Sequence, residues 1–127
     1  MLWSISPRTA VEVTGYKSTI GGVMSLETQI QDNVASIVMR GRFDFQIHKE
    51  FKEAYSRLFE NAAVQQIEIE MSKLEFMDSS ALGMLMLLNE RAKTANKTIS
   101  LANPSHVVNQ VLEMANFNRL FNITRNN

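Results

Sequence analysis

Phe76-Met77-Asp78-Ser79-Ser80-Ala81-Leu82-Gly83 joins two differently patterned segments, and its reading decides the fold. Just upstream, Gln66-Ile67-Glu68-Ile69-Glu70-Met71 is apolar and strand-like. Downstream, Leu82, Met84, Leu85, Met86, Leu87 and Leu88 mark the strongest helical segment of the chain. Asp78 and Ser79 suit the start of that helix, because their side-chain oxygens can accept the unpaired N–H groups of a first turn. At about 100° per residue, Ala81, Leu85, Leu88 and Ala92 fall on one side with the spacing of a core face. Ser79, Gly83, Met86 and Glu90 fall on the opposite side, with Leu87 beside them. The helix is more apolar than one buried stripe requires. A hydroxyl, a gap left by glycine and two apolar side chains on one outward surface read as a docking face. The competing reading puts Met86 and Leu87 beneath a neighbouring element.

Working outward, Val64 to Met71 forms the strand that feeds this helix, which runs to about Ala95. Before it, Leu26–Ile30 and Ala35–Met39 read as strands joined by the turn Gln31-Asp32-Asn33, an antiparallel hairpin. Gly41-Arg42-Phe43-Asp44 closes the second strand. Ile47, Phe51, Ala54, Tyr55 and Leu58 then recur at helical spacing, giving an amphipathic helix over about Gln46 to Glu60. On the other side, Thr98–Leu101 is a strand and Asn103-Pro104-Ser105 starts a helix through Ala115. Leu120–Ile123 is a last strand. The order β-β-α-β-α-β-α-β implies parallel pairing with right-handed crossovers after the hairpin. The fold class is α/β, a mixed but mainly parallel sheet with three to four helices. Functional residues in such sheets lie in loops at the carboxyl ends of strands, where both Asp44 and Asp78-Ser79 fall.

The domain spans residues 24–123, with a polar tail at 124–127. Residues 1–23 carry Pro7, Gly15 and Gly21-Gly22, show only a short alternation at Val11-Glu12-Val13, and read as a loosely ordered extension. Met24 reads as a natural start, with the upstream residues arising from an extended reading.

The totals bound the function. One domain's worth of chain, 127 residues with 45% hydrophobic content, is enough for a core. Thirteen basic residues balance thirteen acidic ones, unlike the basic footprint of a nucleic-acid binder. Cysteine is absent, which removes disulfides and thiol nucleophiles and fits a reducing cytoplasm. No run approaches the ~18 apolar residues of a membrane span, and the N-terminus lacks a signal-peptide pattern. The expected location is therefore the cytoplasm, with no membrane or nucleic-acid partner.

Enzyme chemistry finds little support. Met77-Asp78-Ser79-Ser80-Ala81 is not a Gly-x-Ser-x-Gly elbow, and the only histidines, His48 and His106, lie near helix starts. Two histidines without clustered carboxylates make a poor metal site, and no phosphate-cradling glycine loop is present. A receiver-like phospho-aspartate at Asp78 would need further early acidic residues for Mg²⁺, and only Asp44 is there. No catalytic residue, metal or cofactor is expected. A kinase substrate fits better. Phosphate on Ser79 adds roughly −1.5 to −2 charges at a helix N-terminus that tolerates them, with Asp78, Asp44 and Glu75 deepening the negative patch.

These residues resemble a known family. The strand, then Asp78-Ser79-Ser80-Ala81-Leu82-Gly83, then an apolar helix is similar to the Asp-Ser-Ser/Thr-Gly-Leu-Gly signature of STAS domains, with bacterial anti-sigma-factor antagonists the closest subgroup. Gly41-Arg42-Phe43-Asp44 resembles the family's Gly-x-hydrophobic-Asp motif, and Asn103-Pro104 its turn before the third helix. The match covers about Met24 to Ile123. The resemblance implies a non-enzymatic partner-switching protein with Ser79 as phosphoacceptor. Asp44, Asp78, Ser80, Gly83, Met86, Leu87 and Glu90 would then form the partner surface. It implies a GHKL-type serine kinase that doubles as an anti-sigma factor, bound by the unphosphorylated form so that sigma is released. It also implies a PP2C-type phosphatase that resets the switch. Two alternatives within the family are an adaptor for biofilm, secretion or other signalling, and a transporter subunit in which Ser79 is only a cap. Ala81 departs from the family's glycine and strengthens the helix start.

Overall fold

The computed structural model describes residues 12–20 and 24–125. Six strands form one sheet in sequence order: β1 (Glu12–Ile20), β2 (Met24–Gln31), β3 (Val34–Phe43), β4 (Gln66–Met77), β5 (Thr98–Ala102) and β6 (Asn122–Thr124). Helices α1 (His48–Phe59), α2 (Ser79–Thr94) and α3 (His106–Met114) join the last four strands. The first two pairings are antiparallel and the remaining three parallel. Parallel strands laid down in one direction with right-handed crossovers put every helix on the same face of the sheet.

The inward rows of that face are apolar because the strands alternate. Ala35, Ile67 and Ile99 form one cross-sheet row, and Ile37, Ile69, Leu101 and Ile123 the next. They pack into a single core with Phe51, Leu58, Leu85, Leu88, Val108 and Leu112 of the helices. Burying each such side chain contributes about 1.5–3 kcal/mol. The opposite face carries polar rows, among them Gln29, Ser36, Glu68, Ser100 and Asn122 in register. Along α1 an aromatic ladder runs from Phe43 to Phe51 (5.1 Å between rings), Tyr55 (5.4 Å) and Phe59 (5.3 Å).

The structure corrects three boundaries. Glu12–Ile20 is a strand paired with β2, from Glu12 opposite Ile30 to Ile20 opposite Met24, rather than part of a loose extension. The pairing partner supplies what the interrupted local pattern does not. Pro7 and Gly21-Gly22, on which the extension reading also rested, lie outside the described residues. Thr124 belongs to β6, its carbonyl accepting from Asn103 N–H (2.7 Å), so the polar tail does not begin there.

β4 also runs to Met77, six residues beyond its alternating part. Val38 faces Glu70 but Arg40 faces Lys73, and Gly41 faces Leu74 but Arg42 faces Phe76. Each slip inserts one extra β4 residue, a bulge that changes the buried spacing to Met71, Leu74, Met77. Gly41 adopts φ 86°, a conformation glycine takes at little cost. The two slips bring Phe43 opposite Met77, and so set the loops that follow them side by side.

Tyr55 gives a pH test of the core. Burial pushes its phenol above the ordinary 10.0, with the Arg91 charge pulling the other way. A group raised in the folded state stabilises fully below its unfolded value and loses that contribution as pH rises through the folded value. Denaturant melts should therefore show stability falling above about pH 10, and falling less steeply in Tyr55→Phe. Identical slopes for the two proteins would remove Tyr55 from the alkaline transition.

Candidate functional site

Asp78 builds the site. Its backbone is extended, its N–H donates to the Phe43 carbonyl across the β3–β4 pair (3.3 Å), and its side chain caps α2. One carboxylate oxygen, Oδ1, accepts both the Ala81 N–H (3.1 Å) and the Ser80 hydroxyl (2.6 Å). Asp78 is therefore the cap and Ser79 the first helical residue. The two hydroxyls thereby become different. Ser80 is half-buried with its proton committed to Asp78, whereas Ser79 is exposed and its hydroxyl has no hydrogen-bond partner among the described residues.

Asp44 occupies the matching position after β3. Its Oδ1 accepts the Gln46 N–H (3.0 Å) and caps the short 3-10 turn Phe45–Ile47 that leads into α1. Its Oδ2 lies 3.4 Å from Arg42 Nε. Arg42 in turn lies over the Phe76 ring, 4.5 Å from its centroid. Asp44 is thus partly balanced by a cation rather than adding a bare charge. Glu75 lines a groove with His106 and Val107 at the start of α3.

The two faces of α2 separate as its periodicity requires. Ala81, Leu85, Leu88 and Ala92 are buried, and Met84 with them. Ser79, Gly83 and Glu90 are exposed, and so are Met86 (49%) and Leu87 (42%), with none of the described elements sealing them. Ala81, the departure from the family's glycine, points wholly into the core and leaves the outward surface unchanged. Three residues near these loops escaped the sequence reading: Arg42, Phe76 and Phe45, whose exposed ring (67%) stacks on His48 at 5.1 Å. The available signal was an aromatic on each side of the two aspartates, at Phe45 and Phe76, but only the bulged register shows which way Phe76 faces.

Among the described residues no group of three or more His, Cys, Asp or Glu side chains could hold a metal ion. Nor is any helix there long and apolar enough to cross a membrane.

Such an arrangement defines an α/β domain of successive parallel strand–helix units with an exposed, capped helix start as its candidate site. The chain belongs to the STAS domain family: residues 26–123 match the family model described as Mlab, STAS domain. It is 40% identical over 89 residues to a STAS-domain containing protein of Pseudomonas aeruginosa strain UCBPP-PA14, covering 70% of this chain and 86% of that protein. Among solved structures, an anti-sigma factor antagonist from Mycobacterium paratuberculosis superposes with TM-score 0.72 at 13% identity, over 84% of this chain and 90% of that one. The anti-sigma factor antagonist SpoIIAA in its unphosphorylated form gives 0.69 at 19% identity, over 80% and 88%. The phosphorylated form of the Bacillus protein gives 0.64 at 18%, over 80% and 91%. At these identities the likeness is one of fold.

Gly83 tests whether the outward face is free. A Cβ built there meets nothing within 4 Å, so nothing in the described fold requires glycine in mid-helix. Gly83→Ala should stabilise the domain by about 1 kcal/mol in denaturant melts. Destabilisation would mean that the fold itself crowds this position.

Proposed function

We propose that this protein is an anti-sigma factor antagonist, a non-enzymatic switch whose partner binding is controlled by phosphorylation of Ser79. Unphosphorylated, it binds a GHKL-type serine kinase that also restrains a sigma factor, and so frees the sigma factor. The kinase transfers phosphate from ATP to Ser79, the complex dissociates, and a PP2C-type phosphatase resets the cycle. The observation that carries this reading is the Ser79 hydroxyl, exposed and without a hydrogen-bond partner among the described residues at the first position of α2, on the same outward face as Gly83, Met86, Leu87 and Glu90. The fold-level likeness to SpoIIAA in unphosphorylated and phosphorylated forms supports it.

The physics of the switch is local. The α2 N-terminus accommodates added negative charge, so the fold survives modification. A partner seated on Met86 and Leu87 meets about −1.5 to −2 new charges at the rim of an apolar contact. A loss of about 3 kcal/mol there lowers affinity by more than a hundredfold. Ser80 is a poorer acceptor because its proton already serves Asp78.

The matched family model is described as Mlab rather than by sigma-factor control, which favours a second reading. In it the same domain is an adaptor for another signalling system, or a transporter subunit in which Ser79 only begins a helix.

Incubation with the kinase and ATP should add one phosphate, located at Ser79 by peptide mapping. Ser79→Ala should remain bound to the kinase, while Ser79→Asp binds poorly with a melting temperature close to wild type. Label on Ser80, or no label, would refute the acceptor assignment and favour the second reading. Separately, Met86→Lys should weaken the complex at least tenfold (about 1.4 kcal/mol) without loss of helical circular dichroism. Normal binding by that variant would move the docking face elsewhere.

A further inference from the structure

Met86 carries a chemistry that phosphorylation of Ser79 leaves unused. The chain has eight methionines and no cysteine, so its only sulfur open to peroxide is thioether sulfur. Burial divides these side chains. Met39, Met71 and Met77 lie in the core and Met84 is 7% exposed, whereas Met86 is exposed and Met114, on α3, is 85% exposed.

Helical geometry puts few side chains beside Met86 on the outward face. Long side chains on a helix lean toward its N-terminus and lie over the residues three and four positions earlier. For Met86 these are Leu82 and Gly83. The glycine has no side chain, and nothing lies within 4 Å of where its Cβ would be. Met86 is thus exposed in the free protein beside the same gap that leaves room for a partner.

We propose that Met86 is an oxidative control point on the α2 face, where a hydroperoxide converts the thioether to a sulfoxide whose polar S=O group opposes partner docking. This rests on the reading of that face as the kinase contact. The sulfur lone pair attacks one peroxide oxygen, the O–O bond breaks, and an S–O bond forms. Sulfur gives up two electrons, and the proton of the transferred oxygen passes to the departing one, which leaves as water from hydrogen peroxide or as an alcohol from an organic hydroperoxide. The product is polar and chiral where the partner met a flexible apolar chain, and methionine sulfoxide reductases can reverse it. Phosphate at the rim and sulfoxide within the patch would act independently on one complex.

The experiment exposes the full chain to hydrogen peroxide, maps oxidation by peptide mass, and measures binding to the kinase that labels Ser79. Met86 and Met114 should convert roughly tenfold or more faster than Met39, Met71, Met77 and Met84. Oxidised wild type should bind roughly tenfold more weakly or worse, with unchanged circular dichroism. Whatever its own starting affinity, Met86→Leu should lose no further binding on treatment when compared with its untreated self, and Met114→Leu should give no protection. Methionine sulfoxide reductases A and B together should restore binding. Met86 oxidising no faster than Met84, oxidised wild type binding normally or unfolding, or Met86→Leu losing as much as wild type would each overturn the proposal. Untreated protein that neither binds nor is labelled would instead overturn the kinase reading. The order of oxidation, read by mass alone, would still decide whether Met86 is an open thioether.

Discussion

The Asp78 carboxylate and amide hold together the parts of this protein that matter. Through its N–H, Asp78 ties the end of β4 to the Phe43 carbonyl at the end of β3. Through Oδ1 it satisfies the first turn of α2 and takes the Ser80 proton. One residue therefore fixes where the sheet ends, where the helix begins and which of two neighbouring serines has its proton committed. A cap of this kind contributes about 1 kcal/mol, a modest energy for so much positional control.

The one-sided architecture explains why the site lies where it does. With every crossover on the same face, α1, α2 and α3 all begin at the carboxyl ends of β3, β4 and β5. Their starts are marked by Asp44 before the 3-10 turn leading into α1, Asp78 for α2 and Ser105 for α3. Helix N-termini bring unpaired N–H groups and a partial positive charge to that edge. The two bulges of β4 align its last residue with that of β3, so the Asp44 and Asp78 loops lie next to each other. Arg42, paired with Asp44 and lying over Phe76, adds a fixed cation to the same edge.

α2 belongs to the core and to the surface in unequal ways. Its inner face is sealed by Ala81, Leu85 and Leu88, and any change there would be felt throughout the domain. Its outer face combines a hydroxyl, a glycine, a thioether and an isobutyl group, none of which the fold needs. An apolar surface kept in water without structural use points to a use outside the chain. In the proposed reading, chemistry on that face, whether phosphate or oxygen, alters association while the backbone stays as it is.

The sequence by itself determined the element order after the hairpin, the apolar rows and the two faces of α2, because those follow from periods of two and 3.6 residues. It also marked Asp78 and Ser79 as a helix start, since capping is local chemistry. It did not reveal β1, whose interrupted pattern becomes a strand only against β2. It stopped β4 at Met71, because a bulge breaks alternation while the pairing with β3 continues. Only the tertiary structure decided that Asp44 is paired with Arg42, that Glu75 shares a groove with the start of α3, and that Ser80 rather than Ser79 gives its proton to Asp78. Those are matters of register and of side-chain direction across strands, which no single stretch of chain encodes.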